Sequence, residues 1–133
     1  MAILAGIDLV AKFFKGDDTL GRGGKRFREF VTTYFQPITP GDEETIYQLR
    51  NALLHSFGLY SPTRTKTYRF FLSENRAPLV QILAKDIYQV DLLTLHQAFE
   101  NALRKFGADL NNDATLQVNF LKMITNYGAI HIG

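Results

Sequence analysis

The sequence predicts a mainly α fold: a bundle of about five helices over residues 1–133, with a small β-hairpin or short-strand insertion around residues 66–90. Three observations predict it. Apolar residues recur at helical spacing in about five separated segments. Between the third and fourth of these, a stretch from Lys66 to Val90 is rich in aromatic and β-branched residues and begins with a polar–apolar alternation. The chain of 133 residues is 46% hydrophobic and 21% charged, so it is long enough to bury a core without cross-links and too apolar to remain disordered.

The first helix, over residues 2–15, places Ile3, Ile7, Val10 and Phe14 on one stripe, widened by Leu4 and Ala11, and Gly16 stops it. It carries Asp8, Lys12 and Lys15 and no small-residue cleavage site follows, so it reads as a helix of the fold and not as a signal peptide. Residues 16–24 form a glycine-rich loop. Gly16 and Gly21 have the spacing of a phosphate cradle, but Arg22-Gly23 stands where lysine and a hydroxyl residue are required, which makes a plain helix connection the better reading. Phe27, Phe30, Val31, Tyr34 and Phe35 define the second helix, ended by Pro37. Thr39 and Pro40 open the third, with Asp42, Glu43 and Glu44 at the positive end of its dipole; it is expected to reach about Phe57, where Gly58 stops it.

Ser61-Pro62-Thr63 then signals a turn. Tyr68, Phe70 and Leu72 form one face of a strand, and Leu79–Leu83 and Ile87–Val90 are short runs suited to further antiparallel strands. Asp91 is placed to cap a fourth helix carrying Leu92, Leu95, Phe99, Ala102, Leu103 and Phe106, with Gly107 near its end. Asn111-Asn112-Asp113 breaks the chain and caps a last helix with Leu116, Phe120, Leu121, Ile124 and Tyr127, closed by Gly128. Residues 129–133 read as a loosely held tail.

Composition removes several function classes. With no cysteine there are no disulfides, thiolate metal sites or cysteine nucleophiles, which fits a cytoplasmic protein. No apolar run is long enough to span a bilayer, so no membrane partner is expected. His96 and His131 lack ligand spacing to each other or to carboxylates, so no metal is expected, and no Gly-x-Ser-x-Gly elbow is present. The net charge of +2 is too small to argue for nucleic acid globally. Its distribution says more: from Arg50 to Lys85 the chain carries Arg50, Arg64, Lys66, Arg69, Arg76 and Lys85 against one acid, Glu74.

Arg50 breaks the pattern of the third helix. With Ile46 as reference, the apolar sector runs from about 300° round to about 100°, and Arg50 falls within it at about 40°. Asn51 and His55 lie at its polar margin, one turn apart. A guanidinium in an apolar sector needs a partner, with Glu43 or Glu44 as candidates, or must reach out to water. Arg50 and His55 are about 140° apart, so the helix alone does not join them. Either the arginine bends round or a second copy of the chain supplies the other half.

Arg50-Asn51-x-x-x-His55, late in a helix, resembles the Arg-x4-His signature of the HEPN superfamily. The aromatic helix before it and the helical pair after it also resemble a HEPN bundle; the resemblance is carried by residues 2–57. It implies a metal-independent endoribonuclease that cleaves single-stranded RNA and needs no cofactor. His55 would be the general acid–base, Arg50 the clamp on the scissile phosphate, and Asn51 the residue that orients histidine or substrate; the product would carry a 2′,3′-cyclic phosphate. The resemblance also implies a homodimer with the two motifs lining a shared cleft, and a toxin or defence role held in check by an inhibitory protein partner. Tyr60, Arg64, Lys66 and Arg69 would extend a basic, aromatic edge for RNA; their plainer reading is as ordinary loop and strand residues. The alternative, in a different class, is a non-catalytic HEPN-like interaction or RNA-binding module in which Arg50, Asn51 and His55 form a polar homodimer interface.

Overall fold

The computed structural model describes residues 2–55 and 59–126, without the side chain of His55. In order, the elements are α1 (Ala2–Lys15), α2 (Gly23–Tyr34), α3 (Asp42–His55), β1 (Tyr60–Pro62), β2 (Thr67–Ser73), β3 (Val80–Ala84), β4 (Ile87–Asp91), α4 (Leu92–Leu110) and α5 (Ala114–Asn126). The expected stop of the third helix at Phe57 and Gly58, the closure of the last at Gly128, and the tail all lie outside the described residues.

The helical stripes fold as their spacing requires. Leu4, Ile7 and Ala11 of α1 and Phe27, Phe30, Val31 and Tyr34 of α2 are buried together. Phe14, Phe30, Tyr34 and Phe106 form one aromatic cluster, with ring centroids of Phe30 and Tyr34 at 5.1 Å and of Phe14 and Phe106 at 6.2 Å. The loop before α2 is held from inside: Arg26, nearly buried, donates from Nη1 to the Thr19 carbonyl at 2.9 Å and lies 3.5 Å from the Asp17 carboxylate. Helix α4 runs through Gly107 to Leu110, and Asp113 caps α5 by accepting from the Leu116 N–H at 3.1 Å.

The expected mainly α bundle with a small hairpin is corrected by the sheet. It has four strands in the order β1-β2-β4-β3, and its central pair, β2 and β4, is parallel. The chain is therefore an α+β fold, with the sheet spanning Tyr60 to Asp91 and not only residues 66–90. The reason is topological. Strands β3 and β4 form an antiparallel hairpin through Lys85-Asp86, where Asp86 takes the left-handed conformation (φ 61) that a tight turn demands. Strand β4 then inserts between β2 and β3 instead of β3 lying beside β2. The turn expected at Ser61-Pro62-Thr63 is corrected: Tyr60–Pro62 form an edge strand, a position that tolerates Pro62 because its missing N–H faces away from the ladder.

Helices cover one face of this sheet. Tyr68, Phe70, Tyr88 and Val90 alternate onto that face and are buried with Ile46, Leu49 and Leu95. The junction of sheet and helix is a single carboxylate. Asp91 is fully buried; its Oδ1 accepts from Thr94 N at 2.9 Å, and its Oδ2 accepts from Asn75 N and from the Ser73 hydroxyl, both at 2.8 Å. Burial pushes its carboxyl up, but these hydrogen bonds together outweigh burial and hold it well below the ordinary carboxylate range.

Candidate functional site

Helix α3 presents a different face to the core from the one its apolar residues suggest. Thr45, Ile46, Gln48, Leu49 and Ala52 are buried, whereas Leu54 is 55% exposed. The buried sector is turned by about 100° from the expected one, which leaves Tyr47, Arg50 and Asn51 half-buried on the opposite side of the helix. Gln48 explains the rotation. Its Oε1 accepts from the Ser61 hydroxyl at 2.6 Å, and its Nε2 donates to Glu44 Oε1 at 2.9 Å, so a polar side chain is buried with both ends satisfied.

Arg50 is accordingly half-buried, not interior, with 22% of its side chain exposed. Its Nε donates to Asp8 Oδ2 at 2.9 Å and its Nη1 donates to Asn51 Oδ1 at 3.0 Å. The guanidinium carbon stands 5.8 Å from the centre of the Tyr47 ring. The expected partners are corrected: Glu43 accepts from the Gly41 N–H at 3.1 Å, and Glu44 serves Gln48 and Arg28. Those acids lie about two turns toward the helix start, beyond the reach of a side chain that leans sideways, whereas α1 brings Asp8 directly alongside.

Between α3 and β1 lies an open groove of about 540 Å³. Tyr47, Gln48, Arg50 and Asn51 line it from the helix side. Tyr60, Ser61, Pro62 and Thr63 line it from the strand and its turn. Tyr47 is held by neighbours on α2: Arg28 stacks 4.8 Å from its ring centre, Phe27 packs at 5.4 Å, and a Cβ on Gly24 would fall 2.7 Å from the Tyr47 oxygen. Glycine at position 24 is what lets the phenol approach α2 this closely.

The groove collects three of the expected residues, Arg50, Asn51 and Tyr60. His55 is the last residue of α3, and its side chain lies outside the described residues. Arg64 is exposed in the turn after β1, and Arg69 is exposed on β2 directly opposite Tyr60. Neither lines the groove. Lys66 is engaged within the sheet: its Nζ donates to the Tyr88 hydroxyl at 2.6 Å, lies 3.8 Å from Asp86 Oδ1, and sits 4.4 Å from the Tyr68 ring centre. The hydrogen bond to Tyr88 is the main reason its ammonium is pushed above the ordinary lysine value. His96 pairs with Glu100 on the α4 surface at 2.7 Å, and His131 lies outside the described residues.

The sequence does not mark Tyr47, Gln48 and Ser61 as groove residues, nor Asp8 as the partner that holds Arg50. A polar Gln48 flanked by apolar neighbours was the available signal. Comparison with known proteins finds no matching family model, no matching curated protein and no matching solved structure. Among the described residues, no helix is long and apolar enough to cross a membrane.

Proposed function

We propose that the protein is a metal-independent endoribonuclease of HEPN type acting on single-stranded RNA, with Arg50, Asn51 and His55 as its reacting group. The observation that carries this reading is the Arg50–Asn51 pair, hydrogen-bonded to each other on the wall of an open groove with two tyrosines beside them. Arg50 uses Nε and Nη1 within the chain; its remaining N–H groups have no protein partner among the described residues and are suited to forked hydrogen bonds with a phosphate. Asp8 and Asn51 fix the guanidinium plane before substrate arrives, which lowers the ordering cost of that contact.

In this mechanism His55, whose unperturbed pKa lies near neutrality, takes the proton from the ribose 2′-hydroxyl and returns one to the leaving 5′-oxygen. The 2′-oxygen attacks the phosphorus, the bond to the 5′-oxygen breaks, and a 2′,3′-cyclic phosphate remains. A homodimer would set two such groups along a shared cleft, and an inhibitory protein partner would act by covering it. Purified protein is expected to cleave single-stranded RNA in the presence of EDTA. Arg50→Ala and His55→Ala are each expected to lower the rate by about a hundredfold or more while far-UV circular dichroism is unchanged. Normal cleavage by His55→Ala would overturn the mechanism.

One observation favours a second reading. Asp8 already neutralises Arg50 and ties α1 to α3, which suits a non-catalytic interaction or RNA-binding module. That reading expects no cleavage, and expects Arg50→Ala to lower the melting temperature instead.

A further inference from the structure

The face of the sheet that the helices leave open is not plain. Because Tyr68 and Phe70 of β2 are buried inward, Arg69 and Phe71 alternate outward, and both are exposed, Phe71 at 58%. Cross-strand register completes the surface. Tyr60 stands opposite Arg69 on one side, and Phe71 is opposite Gln89, which is opposite Gln81. Tyr60 is itself 45% exposed. The two amides are coupled, Gln89 Nε2 donating to Gln81 Oε1 at 3.1 Å.

We infer that this outer sheet face, built on Tyr60, Arg69, Phe71 and the Gln81–Gln89 pair, is a stacking platform for single-stranded RNA. Three features favour RNA over a protein partner. Arg69 has one aromatic ring on each side: Phe71 two residues on along β2, about 7 Å away, and Tyr60 directly across the ladder on β1, about 5 Å away, so unstacked bases can meet rings on either side of the guanidinium. No exposed carboxylate stands on the strand positions of this face; Asp91, which shares it by register, is buried and fully engaged. The paired glutamines offer donors and acceptors to base edges. Tyr60 joins the platform to the groove, since it both lines the groove and faces Arg69 across the β1–β2 ladder. A strand lying along the sheet would thus be led over the edge at β1 toward Arg50 and Asn51. The path to the groove rests on the proposed ribonuclease reading; the platform itself does not.

The test is binding of a fluorescein-labelled single-stranded 12-mer RNA and of the same sequence as a duplex, followed by anisotropy at two salt concentrations. Wild type is expected to prefer the single strand. Phe71→Ala is expected to weaken it roughly tenfold, as loss of one stacked base contact implies. Arg69→Gln is expected to weaken binding and reduce its salt dependence. Leu20→Ser, on the exposed loop between α1 and α2, should leave binding unchanged. In cleavage assays the platform variants should raise KM with little change in kcat, while Arg50→Ala should lose kcat by about a hundredfold or more and weaken binding only a few-fold. Platform-dependent binding by a wild type that cleaves nothing would sink the ribonuclease reading and leave the platform standing. Absence of single-strand binding by wild type would overturn the platform. So would binding unaffected by Phe71→Ala and Arg69→Gln. Loss of a homodimer by sedimentation in those variants, with RNA binding intact, would reassign the face to a protein contact.

Discussion

Arg50 and Asp91 are both ions set among apolar residues, and the protein treats them in opposite ways. Asp91 is sealed: no part of it is exposed, both oxygens are occupied, and its donors come from β2, the chain after β2 and the start of α4. Arg50 is left open on one side. One carboxylate and one amide hold it, and it lines an open groove. A sealed ion organises structure, because every hydrogen bond it can make is spent on elements that must meet. An ion held firmly yet incompletely is arranged for something outside the chain.

The larger stability effect belongs to Asp91. Asp91→Ala removes the α4 cap and takes the acceptor from the part-buried Ser73 hydroxyl and Asn75 N–H, and is expected to destabilise by about 2 kcal/mol in urea unfolding. A loss below about 1 kcal/mol would show that water replaces the carboxylate and that the junction is not sealed. The pH dependence follows from the same hydrogen bonds. The folded carboxyl is depressed below its unfolded value, so its contribution is complete above that unfolded value, about 3.9, and is lost as pH falls further toward the folded value. Wild type should therefore lose stability on acidification below about pH 4 more steeply than Asp91→Asn, measured as urea midpoints from pH 6 to pH 2.5. Parallel curves for the two proteins would break the assignment.

The two ions were also unequally legible in the sequence. Asp91 precedes a clear helical stripe, so its capping role can be read locally. The anomaly of Arg50 could be read, but not its partner: Asp8 lies 42 positions earlier, on a helix where it passes for an ordinary charge. The face of α3 was misjudged for a related reason. Tyr47 and Leu54 count as apolar, but Gln48 takes the buried place because Ser61, on a strand of only three residues, completes its hydrogen bonds. In the sheet, alternation revealed that β2 is a strand with Tyr68 and Phe70 inward. Nothing local to β2 or β4 says that they pair in parallel, because that depends on β4 sliding between two earlier strands. Helical stripes are written within one turn of chain; partners, register and grooves are written across it.

The smallest effect sharpens the comparison most. Asp8→Asn keeps an oxygen that can accept from Arg50 Nε but removes the negative charge. Because both side chains are more than a fifth exposed, the loss of stability is expected to be under about 1 kcal/mol, below that of Asp91→Ala. Function should respond in the other direction. An arginine relieved of its carboxylate offers more uncompensated charge to a phosphate, so Asp8→Asn should tighten single-stranded RNA binding by a few-fold at low salt, with the difference shrinking as salt is raised. If the plane of the guanidinium matters as much as its charge, the kcat of cleavage should fall at the same time, since Asn holds that plane less firmly than a carboxylate. A variant that is destabilised by 2 kcal/mol or more with RNA binding unchanged would mean that Asp8 and Arg50 form a structural clamp like Asp91, and the distinction between the two sites would collapse.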